Sequence, residues 1–301
     1  MDLTPDTEQQ ALVTATADWC RANMPLHQAH CRQAGLWRAL EEMGWLAMTG
    51  PELGLDHATE ALVFAELGRH LAPVGAISSA VAAKWAGHSS HTALAVLDET
   101  TSANSVRVFD PEGATQALGL VGESVSVALL PADLQGSPGL DLSAPMTCLD
   151  PAPPFVSLSS PEATLHLQLL AAGFAIGCAD AACDMAAEYA KIREQFERPI
   201  GWFQAIKHMC ADMTVRCEIA RSQLYYAACA LDAREADAAF HVAAAKRLAD
   251  TAALENGRAN IQIHGGIGMT DEAYPHLCLK RAHLLAFVAP AGREVFVGEV
   301  V

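Results

Sequence analysis

Arg193 to Met213 reads REQFERPIGWFQAIKHMCADM, and this stretch decides how the chain is put together. It breaks a long helical pattern at Pro199 and Gly201 and restarts one at Trp202–Gln204. The break carries a forked cation at Arg193, an amide at Gln195, an aromatic ring at Phe196 and a second amide at Gln204. Arginine at a helix end suits a pyrophosphate, because its planar donors take phosphate oxygens two at a time. Taken alone, the same residues also describe a helix–turn–helix with solvated arginines.

A second stretch, Gln262–Tyr274, reads QIHGGIGMTDEAY, a helix ending in paired glycines. Together, REQFxRPIGxFQxIKHxxADM and QxHGGxGxT closely resemble the carboxy-terminal helical domain of the acyl-CoA dehydrogenase family. The helix His57–His70 adds Glu66-Leu67-Gly68-Arg69 followed by Leu71-Ala72-Pro73, which matches the family's amino-terminal helical domain. The resemblance covers roughly residues 5–75 and 161–285 and is weak between them. Members are flavoenzymes that remove two hydrogens across the α,β bond of an acyl-CoA thioester.

Working outward, the chain has 301 residues, 51% apolar and 18% charged, enough for packed units sharing a large buried interior. A net charge of −16 argues against nucleic acid, whose phosphates need a basic face. No apolar run stands out as the roughly 20 residues that span a bilayer. The start, MDLTPDTEQQ, lacks a cationic region leading into a hydrophobic one, so a cytoplasmic location away from membranes is expected. Nine cysteines, none in CxxC spacing, read as reduced, buried thiols. His27, His30 and Cys31, or His88 and His91, lack a partner cluster at structural-zinc spacing, so no metal is expected.

The fold expected is mainly α: an N-terminal helical domain over 1–98, a reduced β-domain over 99–160 and a four-helix bundle over 161–301. Thr4 or Asp6 can cap the first helix, and Leu36, Trp37, Leu40, Met43 and Trp45 mark the next. Ser105–Phe109 and Glu123–Leu130 alternate as short strands do. In the bundle, Gly173 and Gly177 let another helix approach closely.

The resemblance implies an FAD lying across a subunit boundary. Arg193 and Gln195 would then contact pyrophosphate or ribose of a neighbour's FAD, and Phe196 would pack by its adenine. Gln204 and Gln262 would hydrogen-bond the same half, and Gly265 and Gly266 would let backbone come close. It also exposes two departures. The β-domain looks about half the family's size, and all five tryptophans (19, 37, 45, 85, 202) lie outside it, so the strands that contact the flavin ring have no recognisable match. The family's catalytic glutamate falls at one of two places, here Leu167 or Ala289, Pro290 and Ala291, and neither holds an acid. General-base assistance is worth roughly 10²- to 10⁴-fold.

Three readings follow. The chain resembles the short, non-catalytic subunit of a heteromeric, steroid-degradation type acyl-CoA dehydrogenase. Its partners would be a larger base-bearing subunit in a two-plus-two heterotetramer, an acyl-CoA substrate and an electron-transfer flavoprotein as acceptor. Alternatively it is a homo-oligomer with an unconventional base, Glu272 or Glu294. A binding or structural family member without redox chemistry is the third.

Overall fold

The computed structural model describes residues 4–29, 35–88, 90–97 and 105–292. The chain is mainly α, with a small β-sheet between two helical parts. The first part holds α1 (Thr7–Asn23), α2 (Leu36–Glu42), α3 (His57–Arg69) and α4 (Gly75–Trp85). Asp6, not Thr4, caps α1: its carboxylate accepts from Gln9 N at 2.8 Å while the Gln9 side chain accepts from Asp6 N at 3.1 Å.

Six strands form one sheet: β1 (Ala93–Leu97), β2 (Val106–Phe109), β3 (Gln116–Val121), β4 (Ser124–Leu129), β5 (Met146–Leu149) and β6 (Val156–Ser157). Their order is β5-β2-β1-β3-β4-β6, antiparallel except where β1 pairs with β3. β1 corrects the helical reading of residues 1–98. Ala93–Leu97 is a short apolar run, a pattern that periodicity does not assign to helix or strand. The sheet therefore starts before the expected boundary at 98.

Four helices follow among the described residues: α5 (Pro161–Ile192), α6 (Gln204–Asp232), α7 (Ala238–His264) and α8 (Pro275–Ala286). α5 is the core of the molecule, packed by α3, α6, α7 and α8. It is also long and apolar enough to cross a membrane by length and composition, contrary to the expectation from sequence. Most of that apolar stretch is buried inside the fold, which is what the centre of a bundle requires.

Small residues set the crossing of α3 on α5. A Cβ at Gly177 would stand 2.0 Å from Ala65 O, and one at Gly68 would stand 2.4 Å from Phe174 O. The two backbones thus touch, as the Gly173–Gly177 spacing suggested. Arg281 on α8 joins all three parts. Fully buried, it donates from Nε to Asp141 Oδ2 at 2.6 Å, from one terminal nitrogen to Ala72 O at 2.6 Å, and from the other to Ser143 Oγ at 2.9 Å. Such a pair is costly to break, by about 3–5 kcal/mol when one partner is removed.

Candidate functional site

α5 stops at Ile192 because Arg193 turns to extended backbone. Glu194–Gln195 (β7) then pairs antiparallel with Arg198–Pro199 (β8), and Phe196 and Glu197 make the turn at φ 53° and 64°. Two positive φ values at the centre of a two-residue hairpin match the strand twist, yet neither residue is a glycine. The turn lifts Phe196 into solvent, 84% exposed. Gly201 seats the arm against α5: a Cβ there would lie 2.9 Å from Ala190 O.

The arm's polar groups face outward. Arg193, Gln195 and Gln204 are exposed. Among the described residues Arg193 forms no ion pair, and the Gln195 amide reaches only the carbonyl of Glu194, at 2.8 Å. Arg198 and Lys207 lie over the ring of Trp202 at 5.4 and 5.9 Å. α6 opens without a side-chain cap, so its first N–H groups point their partial positive charge the same way. With Glu194 and Glu197 also exposed on the hairpin, Arg193, Arg198 and Lys207 leave a small local excess of positive charge beside aromatic rings, suited to a phosphorylated planar ligand.

The glycine turn lies beside it. α7 ends at His264, and Gly265 takes φ 66°, ψ −146°, a conformation that is essentially glycine's alone. A Cβ at Gly265 or Gly266 would meet nothing within 4 Å, so this chain leaves the space beside them open. Gln262 is exposed. The rings of Tyr189 and His264 stack 4.0 Å apart, and Tyr189 is one helical turn before Arg193. The stack fixes both motifs at the same end of the bundle. Every residue that the sequence marked for cofactor contact except Arg193's helix-ending backbone is thus presented to the outside.

Of the marked base positions, Leu167 and Ala289 face inward, while Pro290 is exposed. A cavity of about 1040 Å³ lies between the sheet, α5 and α8, and Leu167, Ala289 and Pro290 are in its wall. Leu167 and Ala289 are 1% and 2% exposed. The carboxylates lining the cavity are Glu123, exposed in the β3–β4 turn, and Asp141, held by Arg281 and by Ser143 Oγ at 2.5 Å. Glu272 sits exposed before α8 and is not among the lining residues. Glu294 lies outside the described residues. A cavity of this size takes a sizeable apolar group, but its two family base positions offer no proton acceptor.

A buried cluster escaped the sequence reading. Glu60 is fully buried and accepts from His166 Nε2 at 2.6 Å and from Thr49 Oγ1 at 3.2 Å, with His57 Nδ1 at 3.6 Å. His57, Glu60 and His166 are close enough to hold a metal ion, but their outer partners set the rings otherwise. Trp85 Nε1 can only donate, so His166 Nδ1 accepts at 3.2 Å and Nε2 carries the proton. Lys84 likewise faces His57 Nε2 at 3.1 Å. Both rings turn N–H toward the carboxylate rather than a lone pair toward a cation. Burial pushes the Glu60 carboxyl up, but the two histidines outweigh it and leave it at about 2. Only the His57–Glu60 spacing could have hinted at this from sequence, since His166 comes from a distant helix.

Of the groups considered for metal from sequence, His88 and His91 are engaged separately. His88 bonds Ser90 at 2.9 Å, while His91 stacks on Trp37 at 3.5 Å and burial lowers its pKa to about 4. His30 and Cys31 lie outside the described residues.

Comparison with known proteins agrees with the two-motif reading. Residues 162–289 match the family "Acyl-CoA dehydrogenase, C-terminal domain" and residues 6–91 match "Acyl-CoA dehydrogenase, N-terminal domain". The acyl-CoA dehydrogenase IpdE2 of Mycobacterium tuberculosis is 34% identical over 86% of this chain and 84% of its own. The ChsE4–ChsE5 complex of the same organism contains a chain similar in fold, with TM-score 0.76, 22% identity and 99% of each chain covered. Butyryl-CoA dehydrogenase of Megasphaera elsdenii aligns with TM-score 0.75 and 17% identity over 98% of each chain.

Proposed function

The chain belongs to the acyl-CoA dehydrogenase family, and from that premise we propose that it is the non-catalytic subunit of a heteromeric, FAD-dependent acyl-CoA dehydrogenase. The observation that carries this reading is the division of the marked residues. The base positions Leu167 and Ala289 stand in a cavity wall and carry no carboxylate, while the arm and the glycine turn face out.

The outward residues fit the ADP half of FAD. Arg193 would take the pyrophosphate, with the uncapped start of α6 behind it. Gln195, Gln204 and Gln262 would hydrogen-bond ribose and phosphate oxygens, and Phe196 would cover the adenine. The open space at Gly265 and Gly266 would admit the cofactor edge. When bound, FAD accepts the hydride of acyl-CoA dehydrogenation. Proton abstraction from the substrate would fall to a glutamate of a larger partner chain, two of each forming the assembly. The similarity to IpdE2 and to a chain of the ChsE4–ChsE5 complex supports a heteromeric partner. A steroid side-chain thioester as substrate, and electron-transfer flavoprotein as acceptor, belong to the same proposal. So does a cytoplasmic location.

The test is co-expression with a base-bearing family member encoded nearby. A stable complex carrying one FAD for each pair of unlike chains is expected. In it, Glu272→Gln should leave the rate within a few-fold, while replacing the partner's glutamate should cost on the order of 10²-fold or more. One FAD per chain, or a large loss from Glu272→Gln, would place a working site in this polypeptide.

A further inference from the structure

A second chemistry lies between α5 and α6, behind the arm. On α6, Cys210, Thr214 and Cys217 recur on one face, and Cys183 of α5 points into them. The Cys183 sulfur is 3.5 Å from Thr214 Oγ1, and Cys217 follows Thr214 by one turn of α6, close enough that the two thiols shift each other's titration. Cys217 also accepts from Asn256 Nδ2 at 3.1 Å, which fixes its rotamer. Access differs between the two. Cys217 is 3% exposed, whereas Cys183 is partly open. Ala187, one turn on from Cys183, lines a cavity of about 510 Å³ together with Cys210.

We propose that Cys183 and Cys217 are a redox-modified pair, in which a peroxide oxidises Cys183 and Cys217 then closes a disulfide between α5 and α6. In the first step the Cys183 thiolate attacks one peroxide oxygen. An S–O bond forms, the O–O bond breaks, and the departing hydroxide takes the proton that Cys183 gave up, leaving as water. In the second step Cys217 sulfur attacks the Cys183 sulfenic acid. The S–S bond forms, the S–O bond breaks, and the Cys217 proton leaves with the hydroxyl as a second water. Two thiols are oxidised and one hydrogen peroxide is reduced to two waters.

The order of attack follows from the surroundings. Hydrogen bonds from Cys217 and Thr214 favour the Cys183 thiolate and hold its pKa below the ordinary thiol range. Asp180 and Asp184 work against it, yet each is matched by a cation: Arg221 grips Asp180 through both oxygens at 2.7 Å, and Arg69 pairs with Asp184. Cys217 is pushed the other way, first by its bond to Cys183 and then by burial, so it waits as the resolving thiol. Cys178 and Cys278 are fully buried and their pKa values are raised by burial, which leaves them inert. The reading of the cysteines as uniformly buried thiols needs correcting, since Cys148 is exposed and Cys183, Cys210 and Cys229 are partly so. The disulfide would staple the two helices about three turns behind Arg193.

The experiment treats the reduced full chain with hydrogen peroxide and maps disulfides and sulfenic acids by peptide mass. The expected product is a Cys183–Cys217 crosslink, reversed by dithiothreitol. In Cys217→Ser oxidation should halt at Cys183, captured as a dimedone adduct. In Cys183→Ser the rate of peroxide consumption should fall roughly tenfold or more, since the thiol most readily ionised is gone. A crosslink to any other cysteine in the unmutated chain overturns the pairing, with no variant needed. Equal rates in Cys183→Ser and wild type, or no dimedone adduct in Cys217→Ser, overturn the order of attack.

Discussion

Among the described residues the exposed Arg193 side chain makes no ion pair, so its loss should cost the fold little. Arg193→Ala should leave the thermal midpoint of this chain unchanged, while the assembled complex loses FAD about 10- to 100-fold more readily, as one charge-assisted contact of about 1.5–3 kcal/mol implies. Flavin absorbance after gel filtration measures it, and equal FAD content would make Arg193 an ordinary surface arginine. Glu60 behaves in the opposite way, as a residue the fold depends on. Its carboxyl is lowered from 4.5 to about 2, so its contribution is present above pH 4.5 and is lost as pH falls toward 2. His166 is lowered by burial from 6.5, so the unfolded chain takes up a proton there first and stability begins to fall below pH 6.5. Melting temperature against pH should therefore decline in two limbs. Glu60→Gln should flatten the lower limb and keep the upper, and an unchanged lower limb would mean that Glu60 is not ionised in the native state.

At the scale of elements, the crossing of α3 on α5 is the most sensitive joint. An alanine at Gly177 would drive a methyl group to 2.0 Å from Ala65 O, and backbone cannot yield there as a side-chain tip would. Gly177→Ala should destabilise by about 1–3 kcal/mol or more in chemical denaturation, whereas Gly266→Ala, facing open space, should not. The spacing of Gly173 and Gly177 made this joint legible in advance, because close approach is a local property of two glycines four residues apart. The four bundle helices and the break at Pro199 were legible for the same reason. What could not be read was non-local. Arg281 looks like any basic residue near a helix end, and its meeting with Asp141, Ser143 and Ala72 depends on two separated loops. Glu60 reads as one more polar residue of a bundle helix until His166 arrives beside it. β1 was missed because five apolar and small residues carry too little period to choose between helix and strand.

For the whole molecule, the distribution of exposed apolar groups matters more than any one of them. Among the described residues, Ile192, Phe196, Trp202, Ile267 and Met269 are each more than a third exposed on or near the end of the bundle that bears the arm, while Leu129, Leu140, Val156 and Phe287 are exposed at the sheet and after α8. Produced alone, the chain should aggregate or form a flavin-free oligomer, with sedimentation and absorbance as the checks. A yellow, stable monomer would contradict the proposed division of labour. The candidate site divided in the same way in the sequence: its outward half was legible as two motifs, and its inward half only as two missing acids. That those two positions share one cavity required the fold.

The stack of Tyr189 on His264 gives the arm and the glycine turn a fixed separation. Once a phosphate meets the arm, the turn is already within reach, at an effective concentration set by that stack rather than by diffusion. Under the proposed cofactor role the two contacts would act as a bidentate grip, in which loss of either weakens the other. An arm swinging freely on its hairpin would have to find the ligand twice.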